Sequence, residues 1–320
     1  MLRNSLISTV VSVSIVSLLS ACASRPTESA EQAVSVPAAM EVRAREVPMF
    51  QGETGAPVAW DDLVARAAKA DVVLIGENHG HELGLAFASE LWADVLKQRA
   101  DAVLSLEFFT RDEQSRLDAY LAGIWDEESF RKATNKVSEA AYPAGHRAMV
   151  EAAKAAGRPV IASNAPRIYV RVASRESFEK LASLSASQRT LYRIPDALPT
   201  GRYRQDFDAI MSSMGSHGDT PPSNEQVKAR LDASFRAQSL WDWTMADSIA
   251  TAVASGGPVV QVVGRFHSDF RGGLYEALVR LEPQARIVIV SVVDADADAL
   301  REEDRGRGDV VVYVGEFAAP

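Results

Sequence analysis

Apolar positions recur along this chain in short dense runs, separated by longer stretches in which they fall every third or fourth residue. Runs at 72–75, 102–106, 159–162 and 259–263, followed by β-branched runs at 287–293 and 310–314, have the length and composition of strands. Between them, Leu83, Phe87, Leu91, Trp92 and Val95 share one helical face, as do Val227, Leu231, Leu240, Trp241, Met245 and Ile249. Strands that lack polar alternation are covered on both sides, so the pattern predicts an α/β fold, a mainly parallel sheet flanked by helices. From about 181 to 224 the alternation breaks, and this stretch is read as a helical lid insertion closed by Pro221-Pro222. The run Asp294-Ala295-Asp296-Ala297-Asp298 is read as a solvated loop, because Ala299 and Arg305 stand where a calcium loop needs Gly and Glu.

Ahead of the first strand, a charged start at Arg3 leads into a serine-diluted apolar run over 6–19 and then Leu19-Ser20-Ala21-Cys22. A run that short, with a small residue before the cut, is a secretory signal peptide and not a spanning helix. Its end resembles a bacterial lipobox, which predicts removal of residues 1–21, lipidation of Cys22 and a membrane-anchored protein. Ala23, where Asp would resemble an inner-membrane retention signal, points to the outer membrane of the cell envelope. Residues 22–57, rich in Ala, Ser, Pro, Glu and Thr, are read as the lipidated cysteine and a flexible tether, with one folded domain over 58–317.

Composition narrows the function. At 47% hydrophobic and 24% charged, the 320 residues can bury a substantial core. A net charge of −9 does not suit a phosphate backbone, so no nucleic-acid partner is expected. The single cysteine excludes a disulfide framework or a Cys-rich metal site within one chain, and five histidines are left for metal chemistry.

Ligands of open α/β sheets bind outside the carboxyl ends of the strands. One step past the predicted strands stand Gly76-Glu77-Asn78-His79, Glu107, Asn164 and Gly264-Arg265-Phe266-His267. Two imidazoles and a carboxylate from separate strands, His79, Glu107 and His267, have the composition of a divalent-metal site with an open position. Glu77 would then act as general base, and Asn164 and Arg265 would line the pocket. A structural ion-pair network is the plainer alternative for the same residues. No zincin helix, Gly-x-Ser-x-Gly elbow or Walker loop occurs. Within the insertion, Tyr203, Phe207, Ile210, Met211 and Met214 form a helical stripe, with His217 beyond and Tyr192 upstream. Such a stripe is either plain core or an apolar surface for haem, whose iron takes Tyr, His or Met as axial ligand.

At this point the residues resemble the ChaN family, haem-binding uptake lipoproteins of the Tiki superfamily. The resemblance rests on Ile75-Gly76-Glu77-Asn78-His79, on Leu106-Glu107-Phe108-Phe109 and on Leu117-Asp118-Ala119-Tyr120-Leu121-Ala122-Gly123. It continues through Tyr142-Pro143, Ile161-Ala162-Ser163-Asn164-Ala165-Pro166-Arg167, Gln238-Ser239-Leu240-Trp241-Asp242 and Gly264-Arg265-Phe266-His267. These occur in family order over roughly 58–293; Arg265-Phe266 departs from the smaller, more polar pair usual before the last histidine. The resemblance implies an α/β core with a helical lid, iron acquisition, and homodimers holding two haems face to face with tyrosine on iron. Tyr203 is the expected ligand by position, with Tyr192 and His217 behind it. Metal-dependent proteases and erythromycin-esterase-like hydrolases of the wider superfamily make hydrolysis through Glu77 and Glu107 the alternative. A non-catalytic envelope scaffold is the third.

Overall fold

The structure, a computed structural model, describes residues 37–213 and 223–316. Each of the predicted apolar runs forms a strand, and one further strand precedes them. The set is β1 (Met49–Gln51), β2 (Val72–Glu77), β3 (Val103–Thr110), β4 (Val160–Asn164), β5 (Val259–Gly264), β6 (Ile287–Val293) and β7 (Val310–Tyr313). They pair in the order β1-β7-β6-β2-β5-β3-β4, all parallel except β1 against β7. The expected mainly parallel sheet is therefore present.

Apolar side chains on both faces of each strand hold the layers together. Along β2, Val73 and Ile75 enter one core and Val72 and Leu74 the other, and all are fully buried. Helices Trp60–Lys69, Glu82–Gln98 and Ala144–Ala155 cover the first face; Asn224–Ala254 and Gly273–Leu281 cover the second. Gly145 lets two of these helices approach closely, since a Cβ there would lie 2.6 Å from Leu85 Cβ.

The ordered fold starts earlier than the boundary expected at 58. Helix Ala38–Glu46 and β1 occupy part of the stretch read as tether. The apolar residues of the helix, mostly alanine, are not gathered on one face, which hid it from a periodicity argument. It is held by buried Ala44 and by Arg45, which pairs with Glu90 and, at 2.8 Å, with Asp94 of helix Glu82–Gln98. The expected insertion is present as the short helices Phe178–Ala182 and Ala186–Arg189 and the longer Arg202–Ser213. Helix Asn224–Ala254 follows, its start fixed by a Ser223–Gln226 capping box. Residues 1–21, read as a signal peptide, and Cys22 lie outside the described residues. Among the described residues no helix is long and apolar enough to cross a membrane.

Candidate functional site

The parallel register brings the carboxyl ends of the central strands together. Glu77, the last residue of β2, stands opposite Gly264, the last residue of β5. Pairing of β3 with β4 shifts register between Leu106 and Thr110, an irregularity that re-aims the intervening side chains. Glu107 lies in that segment, and its Oε2 accepts the Gly264 N–H at 2.6 Å. Past β5 the 3₁₀ turn Arg265–His267 turns His267 inward. Helix Asn224–Ala254 supplies Gln238 and Asp242, one turn apart, from the adjacent layer.

Two carboxylate–imidazole pairs result, with opposite exposure. His79 Nδ1 donates to Glu77 Oε1 at 2.6 Å, with 72% of the His79 side chain exposed and only 2% of the Glu77 side chain. The Glu77 hydrogen bond pushes the imidazole up to about 9. Glu77 Oε2 is buried with no hydrogen-bond partner. The second pair is interior: His267 Nδ1 donates to Asp242 Oδ1 at 2.6 Å. The Tyr203 hydroxyl donates to Asp242 Oδ2 at 2.8 Å and accepts from Gln238 Nε2 at 3.0 Å. Burial alone would lower the His267 imidazole, but the charges of Asp242 and Glu107 outweigh it and raise it. Burial, together with the Asp242 charge, lifts the Tyr203 phenol well above its ordinary range, so it is a neutral donor. Gly273 is the close neighbour of this chain of bonds; a Cβ there would collide with Asp242 and with the Tyr203 ring.

Two cavities open at this edge and share Glu77, His79, Gln238 and His267. The larger, about 1120 Å³, is lined further by Phe108, His146, Asn164, Ile168 and Trp241. The smaller, about 710 Å³, lies beside helix Arg202–Ser213 and is lined by Arg202, Ile210, Arg265, Phe266, Phe270 and Arg307. Ile168 and Ile210 are large apolar side chains left 61% and 43% exposed at these cavities.

Residues 63–278 match the family described as haem-binding uptake, Tiki superfamily, ChaN. The chain belongs to the ChaN family. Among solved structures, that of cofacial haem binding to ChaN of Campylobacter jejuni is similar, with a TM-score of 0.63 and 17% identity over 83% of this chain and 96% of that one. Identity that low shows a shared fold. The type III effector HopBA1 overlays with a TM-score of 0.43 and 14% identity, over 86% of this chain and 99% of its own. No curated protein matches the chain significantly.

In this ChaN-family chain the strand-end residues Glu77, His79, Glu107 and His267 come to one edge. One atom of each of three of them is hydrogen-bonded within the protein: His79 Nδ1 to Glu77, His267 Nδ1 to Asp242, and Glu107 Oε2 to the Gly264 N–H. Among the described residues no group of three His, Cys, Asp or Glu side chains is placed to hold an ion, so the divalent-metal site expected at His79, Glu107 and His267 gains no support. Asn164 lines the larger cavity and accepts the Ala165 N–H at 2.9 Å. Arg265 lines the smaller one, and its Nε donates to Asn78 Oδ1 at 2.6 Å.

The insertion stripe is turned inward. Tyr203 and Phe207 are 5% and 6% exposed and pack with Phe235, while Met211 is partly buried against the same cluster. Tyr192 is a core residue whose hydroxyl donates to the Leu181 carbonyl at 2.7 Å. Met214 and His217 lie outside the described residues. Sequence reasoning assigned no role to Asp242, Gln238 or His146. The signal for the first was a carboxylate between Trp241 and Trp243, inside a run that must be buried.

Proposed function

We propose that this chain binds haem at the carboxyl edge of its sheet, as one half of a dimer whose two haems lie face to face. Its role is iron acquisition or haem handling in the cell envelope, with acylated Cys22 as the anchor, in the outer membrane. The family match over residues 63–278 carries the reading. The smaller cavity has the chemistry the ring needs: Ile210, Phe266 and Phe270 offer apolar area, and Arg202, Arg265 and Arg307 suit its carboxylates. Bound haem supplies an iron centre; the protein's part is to cover one ring face and fix its edge. A cleft open to solvent leaves the other face wet, and a second subunit bringing its own haem covers it. Binding and dimerisation then strengthen each other. Cofacial haem binding in ChaN of Campylobacter jejuni supports that arrangement.

Titration of the detergent-solubilised full chain with haemin, followed by absorbance and by molecular mass, tests the proposal. The expected outcome is saturation at one haem per chain with conversion to dimer. Uptake no tighter than by an unrelated acidic protein, with no change of mass, overturns it.

A further inference from the structure

The haem reading leaves open which side chain meets the iron, and among the described residues, which do not include Met214 and His217, the exposure of the available ligands decides. Of the chain's seven tyrosines, Tyr120, Tyr142, Tyr169, Tyr192, Tyr203 and Tyr313 are each no more than 6% exposed. The seventh, Tyr275, is half-buried on helix Gly273–Leu281, packs on the second core, and lines neither cavity. Tyr203 has its oxygen fully engaged, donating to Asp242 and accepting from Gln238. Freeing it for iron would break both bonds and leave the Asp242 carboxylate buried without its phenol. Among the described histidines, His81 caps helix Glu82–Gln98 through Nδ1, and His146 and His267 are buried. His79 alone of these presents an open ring, and it stands where the two cavities meet.

Its orientation is already set. With Nδ1 held by Glu77, the free nitrogen of the ring is Nε2. Gly264 keeps that edge clear, since a Cβ at 264 would sit 3.1 Å from Nε2. The carboxylate behind the ring supplies an independent reason. Glu77 is buried, its Oε2 has no partner, and its other oxygen is matched only by the imidazole. A buried anion of this kind is stabilised by positive charge delivered through the ring it holds. We infer that His79 ligates haem iron through Nε2, which gives up its proton to solvent as the bond to iron forms, with Glu77 as the positioning residue that fixes the ring and lends it anionic character. This assignment rests on the haem reading above and departs from the tyrosine implied by the family resemblance. An imidazole backed by a carboxylate donates more strongly than a free one, so the site favours ferric haem without needing a phenolate.

The test uses the full chain in detergent with haemin, read by absorbance, by electron paramagnetic resonance of the ferric complex and by reduction potential. The unaltered protein and Tyr203→Phe are expected to give the same imidazole-ligated spectra. His79→Ala loses that signature and weakens haemin uptake by at least about tenfold, and free imidazole restores the spectrum. Glu77→Gln keeps a histidine-ligated spectrum but raises the reduction potential. Because the His79 ring is exposed, circular dichroism is expected to show His79→Ala folded. His79→Ala with unchanged spectra and affinity, or loss of the spectrum in folded Tyr203→Phe or His217→Ala alone, overturns the assignment while leaving haem binding intact. No haem band in the unaltered protein overturns the haem reading and this assignment together.

Discussion

His146 shows how one side chain can carry a pH dependence. It is 5% exposed on helix Ala144–Ala155, stacked on Phe108 with centroids 4.3 Å apart, and its Nδ1 has no partner. Burial, reinforced by the His79 and Lys136 charges, pushes its imidazole down to about 3, so the folded protein keeps it neutral. An unfolded chain protonates the same ring near its ordinary value of 6.5. Because the folded value is the lower one, the contribution is constant above about 6.5 and is lost as pH falls from there towards 3, by up to about 1.4 kcal/mol per pH unit. His146→Leu is therefore expected to flatten the acid limb of Tm against pH relative to the unaltered protein, measured by calorimetry between pH 6 and 4. Identical slopes in the two proteins would place the acid sensitivity in the carboxylates instead.

Elements differ in how plainly the chain announces them. Runs such as Val259–Gly264 are buried on both faces, so every position but Gln261 is apolar or small and the strand is legible at once. β1 is three residues long, and helix Ala38–Glu46 spreads small apolar and charged residues around its circumference, so neither leaves a periodic trace. Both are held by tertiary contacts: β1 by pairing with β7, the helix by the Arg45 ion pairs. The site divides in the same way. Strand ends expose Glu77, His79, Glu107 and His267 to a reader of the sequence, whereas Asp242 and Gln238 sit inside a helical pattern that reads as core. Tyr203 was visible as part of an apolar stripe, but its bond to Asp242 spans the insertion and could not be read from spacing. A chain beginning at residue 58 would lose buried Val47, Met49 and Phe50 and leave β7 an open edge. At about 1.5–3 kcal/mol for each large apolar side chain, it is expected to melt well below a chain beginning at 37. Coincident melting curves would show that these elements add nothing.

For the whole molecule, the proposed anchor makes its own prediction. Lipidation at Cys22, as proposed, requires that intact mass spectrometry of protein taken from membranes finds residues 1–21 removed and acyl chains added, and that Cys22→Ala moves the protein to the soluble fraction with its Tm unchanged; an unmodified Cys22 in the membrane-bound protein would refute the anchor. The folded part contains a single long member, helix Asn224–Ala254, about 46 Å from end to end at the usual rise per residue. Its first turns are exposed, Asp232 pairs with Arg204 of the insertion, Gln238 and Asp242 reach the site, and Trp243 to Ala252 are seated in the core under the sheet. A rod clamped at one end and loaded at the other transmits force along its length. Whatever displaces the projecting turns acts also on the hydrogen bonds that hold Tyr203 and His267, so a partner docking far from the ring would be felt as torque where the ring sits.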